Sequence, residues 1–254
     1  MRVGIAGYGR MGRLFKRCLG GEVRFYSRHA KADFDNLEDM YEWADVLILA
    51  SSLDSIPQQL EELALIASRQ PKNAIIFDIA TFKRELIGLY KGFPPEVKVA
   101  SVHPMFGEGV ESFNGQLFLV IPVEGREDDA EHIANFLRSL GGRVEFVSAE
   151  EHDRAMGFVI GVPYFLGLKY LELSLKNNLD RFGGTSHRFL TTYGRAVLND
   201  SPEFIAEVLE RSRGEIEEFI RELGKEPDLE YLLGKVSCEE IKKAYRKFYR
   251  VLEP

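Results

Sequence analysis

From the N-terminus to about residue 147, short apolar runs alternate with amphipathic segments. The runs at 2–7, 22–27 (EVRFYS), 45–51 (DVLILAS), 74–78 (AIIFD), 97–102 (VKVASV), 117–122 (LFLVIP) and 143–147 (RVEFV) read as strands. Apolar positions at helical spacing fill 10–19, 55–69, 82–90 and 127–139. Short buried strands separated by helices imply a parallel sheet covered on both faces. From about residue 149 the pattern is helical throughout. Ser148-x-x-Glu151 and Ser237-x-x-Glu240 read as capping boxes, and Ser201-Pro202 as an N-cap with proline at the first helical position. After Ser201, residues Phe204, Ile205, Val208, Leu209, Ile216, Phe219, Ile220 and Leu223 keep helical spacing.

The turn between the first strand and the first helix carries the most chemistry. It reads Gly7-x-Gly9-x-x-Gly12, and the strand–turn–helix context makes it a dinucleotide-binding fingerprint. Gly7 permits the tight turn, Gly9 lets the backbone approach a pyrophosphate, and Gly12 lets helix pack on strand. Free N–H groups at the helix start then face an anion. The intervening Tyr8, Arg10 and Met11 are counted with the glycines as cofactor-binding positions. The organisation expected is therefore α/β, with a Rossmann-type dinucleotide-binding domain over 1–148 and an all-helical domain over 149–254.

Composition narrows the class. A net charge of −7 argues against general nucleic-acid binding. Within residues 1–32, however, Arg2, Arg10, Arg13, Lys16, Arg17, Arg28 and Lys31 stand against the single acid Glu22, a positive island suited to an anionic cofactor. Two cysteines, Cys18 and Cys238, fit neither a metal site nor a disulfide framework and point to a reducing cytoplasm, with Cys18 on the buried face of its helix. No signal peptide is read, and the apolar stretch Phe158 to Leu168 is too short to span a bilayer, so no membrane role is expected. That stretch is also too rich for one exposed side, which implies a partner subunit docked on the helical domain.

Further candidates follow the strands. The second strand ends Ser27-Arg28-His29 where an NAD site usually has an acid. A hydroxyl and a guanidinium there suit a 2′-phosphate, so NADP is the cofactor expected and NAD the alternative. Ser51 and Ser52 follow the third strand, where the chain passes the nicotinamide end. Ala80, Thr81 and Lys83 follow the fourth. His103, after the fifth, is a side chain able to accept a proton or hydrogen bond near neutrality.

Together, Gly7-x-Gly9-x-x-Gly12, Asp78-x-Ala80-Thr81-x-Lys83, His103-Pro104-Met105-Phe106-Gly107 and Glu151-His152-Asp153 resemble the prephenate and arogenate dehydrogenases of tyrosine biosynthesis, as does Tyr193 to Asp200. The resemblance implies that His103 hydrogen-bonds the substrate's ring hydroxyl, with Thr81 at the position of a serine that orients both. Arg195 matches the arginine that binds a substrate carboxylate, and Lys83 falls on a lysine of the same motif, counted with it as substrate-binding. The appended helical domain is itself expected to supply a homodimer interface, and the resemblance further implies, in some members, fusion to chorismate mutase or prephenate dehydratase modules. The chain departs from the family's Ser-His-x-Pro-His: here the run is Ile160-Gly161-Val162-Pro163-Tyr164, which leaves Tyr164 as the substrate-binding candidate of that turn. Glu108 stands where proline is frequent. The activity implied is oxidative decarboxylation of prephenate. Alternatives are arogenate as substrate, a β-hydroxyacid or imine reductase of the same domain order, and a non-catalytic NADP-binding sensor. The reductases place a catalytic lysine or aspartate on the long helix after the sheet. Here that helix has His152, Asp153 and Arg154 and no lysine before Lys169.

Overall fold

The computed structural model describes residues 1–28 and 32–251. The chain forms two compact units, Met1–Asp153 and Arg154–Pro254. The first holds seven strands: β1 (Arg2–Ala6), β2 (Glu22–Tyr26), β3 (Val46–Leu49), β4 (Ala74–Asp78), β5 (Val97–Pro104), β6 (Leu117–Ile121) and β7 (Arg143–Phe146). They lie in one sheet in the order β2-β1-β3-β4-β5-β6-β7. Its helices are α1 (Arg10–Cys18), α2 (Leu37–Trp43), α3 (Ile56–Arg69), α4 (Glu127–Ser139) and the start of α5 (Ala149–Met156). This is the expected α/β architecture with a Rossmann-like sheet, followed by helices alone.

Alternation along each strand sends side chains to opposite faces. On β3, Leu47 and Leu49 join the core under α2 and α3, while Val46 and Ile48 join the core under α1 and α4. All four are buried, which is why the run is apolar without interruption. The chain leaves β1 for β2 on one side and later returns to β3 on the other. The crevice at the carboxyl ends of β1 and β3 is thus the topological switch point, where such sheets bind ligands.

Three expectations need correction. The sheet is not wholly parallel: β6 runs antiparallel to β5, and β7 is parallel to β6. The link from Pro104 to Leu117 contains no helix, and a parallel return requires a crossover of a dozen residues or more. Second, the helix read over 82–90 is a 3₁₀ helix at Ile87–Gly92. Before it, the Leu86 and Ile87 N–H groups return to the Lys83 carbonyl at 2.9 and 3.0 Å, and the Asp153 carboxylate accepts the Lys83 and Arg84 N–H groups at 2.9 Å each. Third, α2 was not expected; it is capped by Asn36, whose side chain accepts from the Asp39 N–H.

The second unit contains α6 (Val162–Lys176), α7 (Thr185–Val197), α8 (Pro202–Arg211), α9 (Arg213–Leu223), α10 (Leu229–Lys235) and α11 (Cys238–Val251). Its division from the first falls inside α5 rather than at the helix start. Between α5 and α6 the helix widens into a π turn at Gly157–Gly161. Pro163, which lacks an N–H to donate, follows directly. The continuous helix Ala149–Lys176 is long and apolar enough by composition to cross a membrane, unlike the Phe158 to Leu168 stretch alone; helices of cores and interfaces share that property.

Candidate active site

The glycines of the first turn differ in their surroundings. Gly7 has φ +116°, and a Cβ there would sit 2.4 Å from the Ala50 carbonyl oxygen. A Cβ on Gly12 would lie 2.2 Å from the Gly7 oxygen. Both positions thus require glycine for the β1–α1–β3 junction itself. Gly9 is different: a Cβ there meets nothing within 4 Å. Its open side, at the start of a helix whose first turn has no side-chain cap, fits the pyrophosphate of a dinucleotide.

Around this turn the expected cofactor residues divide. Tyr8 is exposed and packs edge-on against Phe25 at 4.7 Å, with Arg13 bonded to its carbonyl at 3.1 Å. Arg10 pairs with Glu108 at 3.8 Å. The Met11 side chain packs against the core, so only its backbone faces the turn. The Ser51 hydroxyl donates to the Ala6 carbonyl at 3.1 Å and accepts from Gln59 at 2.9 Å, while Ser52 bonds Ser55. Ala80 is buried, its N–H committed to Asp78 at 2.8 Å. Ser27 and Arg28 follow β2, and His29 lies outside the described residues. Asp33, the nearby acid, is occupied by the Phe25 N–H at 2.8 Å. Cys18 is half-buried rather than buried, with its Sγ near the Glu111 carbonyl.

Strand β4 ends at Asp78, paired with Ser101, whereas β5 runs on through Val102, His103 and Pro104 because antiparallel β6 continues to pair with it. His103 therefore stands on an overhang of the sheet, and it retains 7% exposure. Its Nδ1 lies 2.9 Å from His152 Nε2, and His152 Nδ1 lies 2.8 Å from Asp153 Oδ1. Asp153 accepts from two backbone N–H groups besides, so its carboxylate is an acceptor throughout. His152 Nδ1 must then carry hydrogen, leaving its Nε2 to accept from His103 Nδ1–H. The lone pair of His103 is thereby fixed on Nε2. Burial, then the nearby Lys83 ammonium and His152, hold the His103 imidazole well below its ordinary range, so it is neutral at pH 7.

Beneath it, Asp78 is fully buried and accepts from the Ala80 N–H, the Lys83 ammonium at 2.8 Å, the Tyr90 hydroxyl at 2.6 Å and the Ser101 hydroxyl. Lys83, expected among the substrate contacts, has 0% exposure and bonds the Val102 carbonyl at 2.7 Å. From there it cannot touch a substrate. Thr81 is half-buried, and its hydroxyl has no partner among the described residues. His152 and Asp153, recognised in sequence only as a motif, acquire their part through a contact 49 residues away.

In the second unit, Arg195 on α7 bonds Asp180 at 2.9 Å, both about half exposed. Asp180 also accepts from His187 at 3.0 Å. These donors hold its carboxyl below the usual range, His187 most strongly. The Tyr164 hydroxyl donates to Asp200 at 2.5 Å.

Residues 26–146 match the family model described as prephenate dehydrogenase, nucleotide-binding domain. The T-protein of Enterobacter agglomerans is 26% identical over 223 residues, covering 84% of this chain and 57% of its own length. The "Probable arogenate/prephenate dehydrogenase" of Methanocaldococcus jannaschii is 25% identical over 173 residues, 65% of this chain and 38% of its own. The chain thus spans about half the length, or less, of the curated relatives it matches. The prephenate dehydrogenase of A. aeolicus, solved with hydroxyphenyl propionate and NAD+, shares the fold: TM-score 0.63, 16% identity, 99% of this chain and 94% of that one. The family match runs from the end of β2 to the end of β7, across the strand that carries His103, and the glycine turn lies just upstream of it. Over residues 26–146 the chain thus matches the nucleotide-binding domain of prephenate dehydrogenases, and over longer stretches it is similar to the T-protein and to the arogenate/prephenate dehydrogenase named above.

Proposed function

We propose that the protein is an NADP-dependent prephenate dehydrogenase, converting prephenate to 4-hydroxyphenylpyruvate with loss of carbon dioxide. The observation that carries this reading is the neutral His103 with its lone pair fixed on Nε2 by His152 and Asp153. The bound nicotinamide supplies the hydride acceptor. His103 accepts a hydrogen bond from the ring hydroxyl and so feeds electron density to the carbon that loses hydride. The bond from the ring to its carboxylate breaks, its electron pair enters the ring, and the ring becomes aromatic. The hydroxyl keeps its proton as the product phenol, so no net proton is released and a neutral acceptor suffices. Arg195 would anchor a carboxylate through its fork. Thr81, with its hydroxyl uncommitted, would complete the grip on the ring hydroxyl.

Support for NADP comes from Ser27-Arg28 after β2 and from Asp33 being committed to the Phe25 N–H rather than to a ribose. One observation favours the second substrate. Asp180, 2.9 Å from Arg195, forms with it an acid–base pair complementary to a carboxylate beside an ammonium, the end group of arogenate. A steady-state assay of prephenate and arogenate, each with NADP and NAD, tests the whole reading. Turnover with NADP is expected, with Arg28→Ala lowering the NADP preference about tenfold. If arogenate is the substrate, Asp180→Asn lowers its kcat/KM and spares that of prephenate. Cofactor binding with no turnover in any pairing would replace the enzyme by a sensor.

A homodimer through the helical unit is part of the proposal. Leu166, Leu173, Leu175, Phe182 and Phe189 expose large apolar area on that unit, more than scattered surface residues account for. Light scattering at micromolar concentration should give the mass of two chains; a monomer would remove this element. The free thiols Cys18 and Cys238 suit a cytoplasmic enzyme.

A further inference from the structure

The overhang of β5 leaves a problem that the fold solves with one side chain. Beyond Asp78 no residue of β4 pairs with β5, so the Val102 carbonyl lacks a ladder partner on that side. A buried carbonyl without a donor is costly. The Lys83 ammonium fills the place, bonding Val102 O at 2.7 Å and Asp78 Oδ1 at 2.8 Å. The same residue's backbone N–H holds Asp153 at 2.9 Å, and Asp153 holds His152. Lys83 thus supports the histidine pair from both sides, through the strand before His103 and through the carboxylate behind His152.

We infer that Lys83 is a positioning residue for the reaction, replacing the missing strand at Val102 and holding the histidine pair through Val102 and Asp153. The inference rests on the reading of His103 as the hydrogen-bond acceptor. The acids bearing on the ammonium are Asp78 on β4 and Asp153 on α5, and the Tyr90 hydroxyl on the 3₁₀ helix donates to Asp78. Those bearing on His103 are Lys83 and His152. Burial lowers the Lys83 pKa while Asp78 and Asp153 oppose the fall, and the buried Asp78 carboxyl gathers the ammonium with three other donors. A neutral side chain of similar length should therefore leave the cofactor site intact and make His103 easier to protonate.

The test follows the His103 imidazole by ¹⁵N NMR titration in wild type and Lys83→Met, using His103→Asn to identify the resonance. The pH profile of kcat/KM is recorded in parallel, with thermal melting and NADP affinity as controls. Because Lys83→Met alone leaves Asp78 as an unpaired buried charge, Asp78→Asn/Lys83→Met is measured alongside. The titration midpoint and the acid limb of kcat/KM should both move to higher pH, giving a loss of about tenfold in kcat/KM on the acid side with NADP affinity unchanged. A folded variant with an unmoved midpoint overturns the inference, as does failure of both variants to fold, which would assign the pair to the fold alone. A midpoint that moves in a protein without dehydrogenase activity supports the placement of Lys83 and sinks the functional reading instead.

Discussion

His103→Asn should lower kcat by roughly 10²–10⁴ while leaving the melting temperature and dinucleotide affinity close to wild type. Asparagine can still donate to His152 Nε2, so the buried pair keeps its hydrogen bond. What is lost is the acceptor at Nε2, the atom proposed to meet the substrate hydroxyl. Steady-state kinetics with a saturating cofactor checks this, and a wild-type kcat would remove His103 from the mechanism. The wild-type pH profile bears on the same group. The folded imidazole is depressed from its ordinary value of 6.5, so activity should persist below that pH and fall as His103 is protonated. The linkage has a matching sign. Between the depressed folded value and 6.5 the unfolded chain binds more protons, so the stability due to neutral His103 is complete above 6.5 and is lost as pH falls below it.

Gly7→Ala should be among the most damaging methyl additions in the sheet unit. The new Cβ would lie 2.4 Å from the Ala50 oxygen and 2.7 Å from the Ser51 nitrogen, both backbone atoms, at a φ of +116°. Neither strain can relax without parting β1 from β3. A cost of about 3 kcal/mol or more is expected, which lowers Tm by roughly 6–12 °C. Gly9→Ala is the control. Its methyl meets no protein atom within 4 Å, so melting should change little, yet it projects into the open space proposed for the pyrophosphate. Dinucleotide affinity should fall at least tenfold, about 1.4 kcal/mol. Calorimetry on both variants separates the glycine that makes the turn from the one that admits the ligand. Equal losses of stability would void the distinction.

What sequence reading recovered here was local. The run from Val3 to Phe15 announces strand, turn and helix within one short window, and the caps at Ser148, Ser201 and Ser237 each involve residues three apart. The reversal of β6 was not legible, since LFLVI is an apolar strand in either direction. The shortening of the helix after residue 83 was not legible either, nor was the Asp153 carboxylate that takes the Lys83 N–H from 70 positions downstream. Lys83 shows the same limit. A lysine after a strand reads as a cation offered to the substrate crevice, and only the early stop of β4 reveals the carbonyl that draws it inside. Asp180 is 15 residues from Arg195, and no pattern tied the two together.

The rings of Phe15 on α1, Phe113, Phe118 on β6 and Phe106 form one aromatic cluster, with Phe15 and Phe113 4.9 Å apart and Phe106 and Phe118 at 5.1 Å. Arg17 adds two bonds of 2.9 Å from α1 to the Glu108 and Val110 carbonyls. The helix that begins at the glycine turn and the loop that leaves the histidine strand are therefore fastened to each other as well as to the sheet. In a packed interior such a joint transmits displacement instead of absorbing it. A cavity opened at Phe113 would thus register twice in a mutational scan, once as weakened nucleotide affinity and once as slowed turnover, at a residue that touches neither ligand.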